Sequence, residues 1–146
     1  MRAPLPQPTL VPEMRLRDKV VLLVEDDADN LELLATCLEA EGASVVQASN
    51  VTEALELSLG VAIDVVVSDL QLSDGNGCDL LRRLRRRADM TDVPAVAISG
   101  YSEDQWYARS STSSFVRHVV KPFALERLID AIDDLCGERQ GSRSTA

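Results

Sequence analysis

The sequence predicts a doubly wound α/β fold, a five-stranded parallel sheet with helices on both faces. Three observations carry this reading. Five short apolar runs alternate with five segments of helical character. Two of those runs, 20–24 and 62–69, are too continuously apolar for a half-exposed strand and suit one covered on both sides. Acidic, hydroxyl and basic side chains follow the runs, so they collect at the carboxyl ends of the strands, the edge where ligands bind in such sheets.

The elements follow in order. Residues 1–17 include "MRAPLPQPTLVP", with four of the six prolines, and read as a flexible extended arm. "VVLLV", 20–24, is a buried strand. "DNLELLATCLEAEG", 29–42, puts Leu31, Leu34, Ala35 and Leu38 on one helical face, with Gly42 as its stop. "SVVQAS" is a short strand, and "VTEALELSL" a short helix capped at Asn50 or Thr52. "AIDVVVSD", 62–69, is the second buried strand. The loop "LQLSDGNG" holds the turn pair Asp74–Gly75. "CDLLRRLRRR", 78–87, is a helix with Leu80, Leu81 and Leu84 inward and its arginines as a solvated face. Pro94 introduces the strand "AVAIS". Residues 102–114 form a weak, serine-rich helix, expected to be short or poorly ordered. "FVRHVV" is the fifth strand and "ALERLIDAIDDLC", 124–136, the last helix. Gly137 stops it, and 137–146 reads as a flexible tail.

Composition narrows the function. A chain of 146 residues suits one domain with a sizeable core. A net charge of −9 argues against binding nucleic acid or an anionic membrane. No apolar stretch approaches a membrane span, and the proline-rich start has no secretory signal core. Three scattered cysteines and one histidine make neither a disulfide framework nor a zinc site, which leaves a reducing cytoplasm as the default location.

Chemistry concentrates where the strands end. Glu25, Asp26 and Asp27 crowd the tip of the first strand, and like charges so close disfavour one another's ionised form. A cation relieves the cost. Glu25, Asp26 and Asp69 are hard oxygen donors of the kind Mg²⁺ takes, and Mg²⁺ also binds phosphate oxygens. Lys121 offers a compact positive charge, Ser99 a hydroxyl and Gly100 open backbone beside it. A carboxylate can itself accept a phosphoryl group. Taken singly, the acids could be a solvated loop with a helix cap, Ser99 an ordinary strand-end residue and Lys121 a surface lysine. Their arrival together at matching strand ends favours one site. Trp106 and Tyr107 could be a partner contact or ordinary packing.

Four motifs, "LLVEDD", "VVVSDLQLSDGNG", "AVAISGY" and "HVVKPF", stand in the order and approximate spacing of one family. Over about residues 18–136 the chain resembles the receiver domain of two-component response regulators. The resemblance implies a flavodoxin-like sheet of order 2-1-3-4-5. It makes Asp69 the phosphoacceptor and Asp26 a direct ligand of Mg²⁺. Glu25 would act mainly through water, and the backbone carbonyl of Gln71 would be a further ligand. Ser99 becomes the switch hydroxyl and Lys121 the lysine of the site, on a cis Lys121–Pro122 bond. Asp27 lies one residue past the acid pair and has no such duty. His118 stands at the rotating switch position, where the family usually carries Tyr or Phe, and so departs from the aromatic pattern.

The implied function is transfer of a phosphoryl group from a partner histidine kinase or histidine phosphotransfer protein to Asp69, changing the surface offered to a downstream effector. Phosphorylation and dephosphorylation would be self-catalysed, without metabolic turnover. The chain would be a monomer or a weak phosphorylation-dependent dimer, and either a single-domain regulator or a receiver cut from a hybrid kinase. Two rivals stand beside it. A phosphorylation-independent interaction module would not need the acids, the acceptor and the lysine. An aspartyl-nucleophile phosphohydrolase usually wants a second acid two residues after the nucleophile, and position 71 is Gln.

Overall fold

The computed structural model describes residues 14–100 and 115–144. Seven strands, four α-helices and one 3₁₀ turn (Ala88–Met90) occur among them: β1 (Val20–Val24), α1 (Ala28–Ala40), β2 (Ser44–Ala48), α2 (Val51–Leu57), β3 (Val65–Asp69), β4 (Gln71–Leu72), β5 (Gly75–Asn76), α3 (Gly77–Leu84), β6 (Ala95–Ser99), β7 (Arg117–Val120) and α4 (Leu125–Ser144). The expected weak helix at 102–114, with Trp106 and Tyr107, lies outside the described residues.

Five strands form one parallel sheet, ordered β2-β1-β3-β6-β7. This is the expected 2-1-3-4-5 order once the two-residue strands β4 and β5 are set aside. Those two pair antiparallel as a separate hairpin that turns at Ser73–Asp74, with Gly75 already in β5 opposite Leu72, where the sequence suggested only a loop with Asp74–Gly75 as its turn pair. Alternation along each central strand divides the core. Val21, Leu23, Val67 and Ile98 face α1 and α4. Leu22, Val24, Val66 and Ala97 face α2 and α3. A strand with apolar neighbours on both faces reads as a continuous apolar run, which is why β1 and β3 were legible.

The helix boundaries follow from local chemistry. The Asp27 side chain accepts from Asn30 N–H and caps α1. Gly42 ends it at a φ of 97°, where a Cβ would come within 2.8 Å of Arg17 Cα. Between the two candidate caps of α2 the structure selects Asn50, which accepts from Glu53 N–H at 2.8 Å. The arginine run divides. Arg82 pairs with Asp79 on the outer face of α3. Arg85 and Arg87 lie beyond the helix and donate to carbonyls: Arg85 to Met90 at 2.6 Å, Arg87 to Ser58 at 3.0 Å. These two are structural ties, so the solvated-face reading holds only for part of the run.

Both ends depart from expectation. Residues 14–17 are part of the fold: Leu16 is fully buried against the α1/α4 core, and its N–H donates to Glu41 C=O. A single apolar side chain entering the core outweighs the polar, proline-rich character of the arm around it. At the other end, α4 passes through Gly137 and continues to Ser144. Glycine costs a helix about 1 kcal/mol relative to alanine but leaves its hydrogen bonds intact. Glu138, Arg139 and Gln140 are good helix formers that carry it on. No described helix is long and apolar enough to cross a membrane.

Candidate functional site

The site is built at the carboxyl edge of β1, β3, β6 and β7. Glu25 follows β1 and turns inward, 1 % exposed. Its N–H donates to Ala48 C=O on β2, and its Oε2 accepts from Asp27 N–H at 3.2 Å. Asp26 points outward and is exposed. Asp69 ends β3, 6 % exposed, in register with Ile98. Lys121 follows β7, its N–H bonded to Ser99 C=O at 2.7 Å, and the Lys121–Pro122 bond is cis, as the resemblance implied.

Lys121 joins the acids. Its Nζ lies 2.8 Å from Asp69 Oδ2 and 3.1 Å from Glu25 Oε1. The other oxygen of Asp69, Oδ1, accepts from Gln71 N–H at 3.1 Å. Both oxygens of Asp69 are therefore held, and the carboxylate plane is set by the lysine on one side and the start of the hairpin on the other. Burial lowers the affinity of the Lys121 amine for its proton, but the bonds to Asp69 and Glu25 outweigh that and raise its pKa above 10.5, so it stays an ammonium. Burial raises the pKa of Glu25 above the usual carboxylate value, and the Lys121 bond only partly opposes it. One lysine is shared between two buried acids, which leaves the pocket short of positive charge.

Glu25, Asp26 and Asp69 offer carboxylate oxygens that all lie within 4.8 Å of one another. Hard oxygen donors with one exposed member, open to water, suit Mg²⁺, which keeps several waters and binds through few carboxylates. Gln71 adjoins this cluster at the start of β4. Ser99, 2 % exposed, ends β6 with its Oγ 2.8 Å from His118 Nε2.

Two residues near the site have roles that the sequence did not reveal. Asp74 is more than a turn residue. Its carboxylate accepts from Val51 N–H at 2.7 Å, from Thr52 N–H at 3.1 Å and from the Thr52 hydroxyl at 2.8 Å, tying the hairpin to the start of α2. Gly77 opens α3 directly beneath Asp69: a Cβ there would stand 2.5 Å from Asp69 C=O. An Asn–Gly pair ahead of an apolar helix hinted at a tight turn, but the close approach depends on the distant path of β3.

The match to known proteins agrees with this geometry. The Response regulator receiver domain family matches residues 21–133. The chain belongs to the response regulator receiver family. The receiver is 25 % identical to the polar-differentiation response regulator DivK of Brucella anthropi over 120 residues, covering 82 % of this chain and 98 % of DivK. Among solved structures it is similar to the non-phosphorylated HemR receiver domain of Leptospira biflexa, with 30 % identity, TM-score 0.72, and 82 % and 94 % of the two chains covered. It is also similar to the response regulator TrrA of Thermotoga maritima, solved in complex with Mg²⁺–BeF, with 26 % identity, TM-score 0.71, and 80 % and 98 % covered. Receivers of two-component systems are phosphorylated by histidine kinases and generally bind Mg²⁺ at an acidic pocket. The acids of this receiver, Glu25, Asp26 and Asp69, fit such a site.

Proposed function

We propose that this receiver is a phosphoryl switch whose acceptor is Asp69, and that it draws its phosphoryl group from the phosphohistidine of a partner kinase or phosphotransfer protein. One observation carries the reading: a buried carboxylate held on both oxygens, by Lys121 Nζ at 2.8 Å and Gln71 N–H at 3.1 Å, beside two further acids. A carboxylate so fixed reaches an incoming phosphorus in one orientation. An Asp69 oxygen forms the new P–O bond as the P–N bond to the donor imidazole breaks, leaving an acyl phosphate on the receiver and a neutral histidine on the donor after it gains a proton.

Lys121 follows the charge from the carboxylate to the phosphoryl oxygens, and Ser99 donates its hydroxyl to one of them. Asp26, Asp69, the Gln71 carbonyl and, through water, Glu25 would hold Mg²⁺. When bound, the ion offsets the negative charge gathered on the acids and the phosphoryl oxygens. The Mg²⁺–BeF complex of the Thermotoga relative supports this assignment by likeness. Ser99 and His118 would then carry the change to a surface read by a downstream effector. The working unit comprises residues 18–136 together with the segment 14–17 that packs on them, and we place it in the cytoplasm as a monomer or weak phosphorylation-dependent dimer.

The test is incubation with acetyl phosphate and Mg²⁺, followed by intact mass. The parent chain gains one phosphoryl mass and Asp69→Asn gains none, with unchanged circular dichroism because the amide matches the carboxylate in size. Phosphorylation of Asp69→Asn at the parent rate overturns the assignment. Steady hydrolysis of many equivalents of a phosphate ester would point to the hydrolase, and no mass gain in the parent to an interaction module.

A further inference from the structure

The Ser99 hydroxyl already has a bonding partner in the phosphate-free chain. Its Oγ stands 2.8 Å from His118 Nε2. The register explains the meeting. Ala97 lies opposite His118 and Ser99 opposite Val120, and residues two apart on a strand share a face, so Ser99 and His118 project from the same side of β6 and β7. The backbone of Ser99 is pinned, since its C=O accepts from Lys121 N–H at 2.7 Å. What remains free to vary at Ser99 is the side-chain rotamer and the direction of the O–H.

A hydroxyl has a single hydrogen to give. The roles at this contact follow the tautomer: with the ring proton on Nδ1, Nε2 is an acceptor and takes that hydrogen, whereas with the proton on Nε2 the ring donates to Oγ and leaves the hydroxyl hydrogen available. In the first tautomer, a Ser99 that donates to a phosphoryl oxygen on Asp69 must first leave the imidazole. A phenyl ring at position 118 has no nitrogen lone pair and offers no such competition.

We propose that His118 is a positioning residue for Ser99: its Nε2 holds the hydroxyl in the phosphate-free form and competes with the phosphoryl oxygens for it. The switch is then a choice of hydrogen-bond partner at Ser99, in addition to any rotation of the residue at 118. This inference rests on the phosphoacceptor reading above and deepens it, by making the ease of phosphorylation depend on a residue that does not touch the phosphoryl group.

The test has a spectroscopic part and a kinetic part. His118 is the chain's sole histidine, so its ring nitrogens are read in the full-length protein without assignment. In metal-free protein the ¹⁵N shift of Nε2 should report an accepted hydrogen bond and move in Ser99→Ala. Adding Mg²⁺ with beryllofluoride, a phosphoryl mimic, should drive the parent signal toward that of Ser99→Ala. Identical Nε2 shifts in parent and Ser99→Ala overturn the proposal. In acetyl phosphate reactions, His118→Leu should raise the phosphorylation rate roughly two- to tenfold, the span of one ordinary hydrogen bond. His118→Gln, whose amide reaches near the Nε2 position, should reverse most of that gain. In a Ser99→Ala background His118→Leu should change nothing. An equal change in both backgrounds, or a slower His118→Leu in the parent background, also overturns it. Should His118→Leu fail to fold, the Nε2 shifts of the parent and Ser99→Ala decide alone. A parent chain that accepts no phosphoryl group defeats the phosphoacceptor reading itself. Normal phosphorylation without dependence on Ser99 defeats only this inference.

Discussion

Glu25 is the most deeply buried acid among the described residues, and its environment sets a pH dependence with a definite sign. Its pKa is raised by burial, so the folded chain binds a proton there more tightly than the unfolded chain does. The stability contributed by that proton is complete below the ordinary carboxylate value near 4.5 and is lost as pH rises through the raised folded value. The metal-free protein should therefore lose thermal stability across that window, and Glu25→Gln should flatten the loss. Added Mg²⁺, which favours the carboxylate form, should restore stability increasingly as pH rises. Melting curves from pH 4 upward check both; a slope unchanged in Glu25→Gln would rule out Glu25 as its source. The neighbouring acids separate by role. Asp26 belongs to the cluster of oxygens, whereas Asp27 caps α1. Asp26→Ala should weaken Mg²⁺ binding roughly tenfold or more, the worth of one charge-assisted contact. Asp27→Ala should cost about 1 kcal/mol of stability as a lost cap and leave the Mg²⁺ titration nearly unchanged. Equal losses in the titration would place the acid pair in the wrong register.

Among the elements, the hairpin formed by β4 and β5 connects parts of the molecule that the sequence leaves apart. It leaves β3 just past Asp69, bonds Asp69 Oδ1 through Gln71 N–H, and reaches α2 through the Asp74 carboxylate. Those backbone bonds, first that from Val51, hold the Asp74 carboxyl below its usual range. A lowered value means that the stability it contributes is present above pH 3.8 and is lost as pH falls through the folded pKa. Asp74→Ala should lower the thermal midpoint at neutral pH, and Asp74→Asn less, because an amide oxygen can still accept one bond. Neither should change Mg²⁺ affinity, since Asp74 is not part of the oxygen cluster. Differential scanning calorimetry beside a Mg²⁺ titration checks this; a loss of affinity matching the loss of stability would mean the hairpin transmits strain to Asp69.

At the scale of the whole molecule, residues 14–17 fasten the end of the sheet remote from the site. Leu16 fills the α1/α4 core, and Arg15 reaches across to α4, with Nη1 2.7 Å from Asp130 and Nη2 2.9 Å from Asp133. The ion pairs are partly exposed and of modest worth; the buried leucine carries the attachment. Leu16→Ala should cost about 2–5 kcal/mol, while Arg15→Ala should cost far less. Urea melts of both variants measure the difference. Equal costs would move the weight from packing to the ion pairs. Phosphorylation of Asp69 should proceed in both variants wherever they remain folded, because these contacts lie at the far edge of the sheet.

The sequence alone determined the architecture and which side chains gather at the carboxyl edge of the sheet. Strands buried on both faces must be continuously apolar, and helices on a sheet must show one apolar stripe, so β1, β3, α1 and α3 are written in local pattern. Strand ends are equally local, so the acids, Ser99 and Lys121 could be placed at one edge before any contact was known. Tertiary structure decided what depends on residues distant in the chain. It chose Asn50 over Thr52, turned Asp74 from a turn residue into a cap on α2, and required Gly77 beneath Asp69. It drew Leu16 out of a proline-rich arm into the core and let α4 run through Gly137. It also brought His118 onto Ser99. Each of these rests on a partner supplied by another element, and a hydrogen bond or a buried contact has no signature in sequence until the fold supplies its other half.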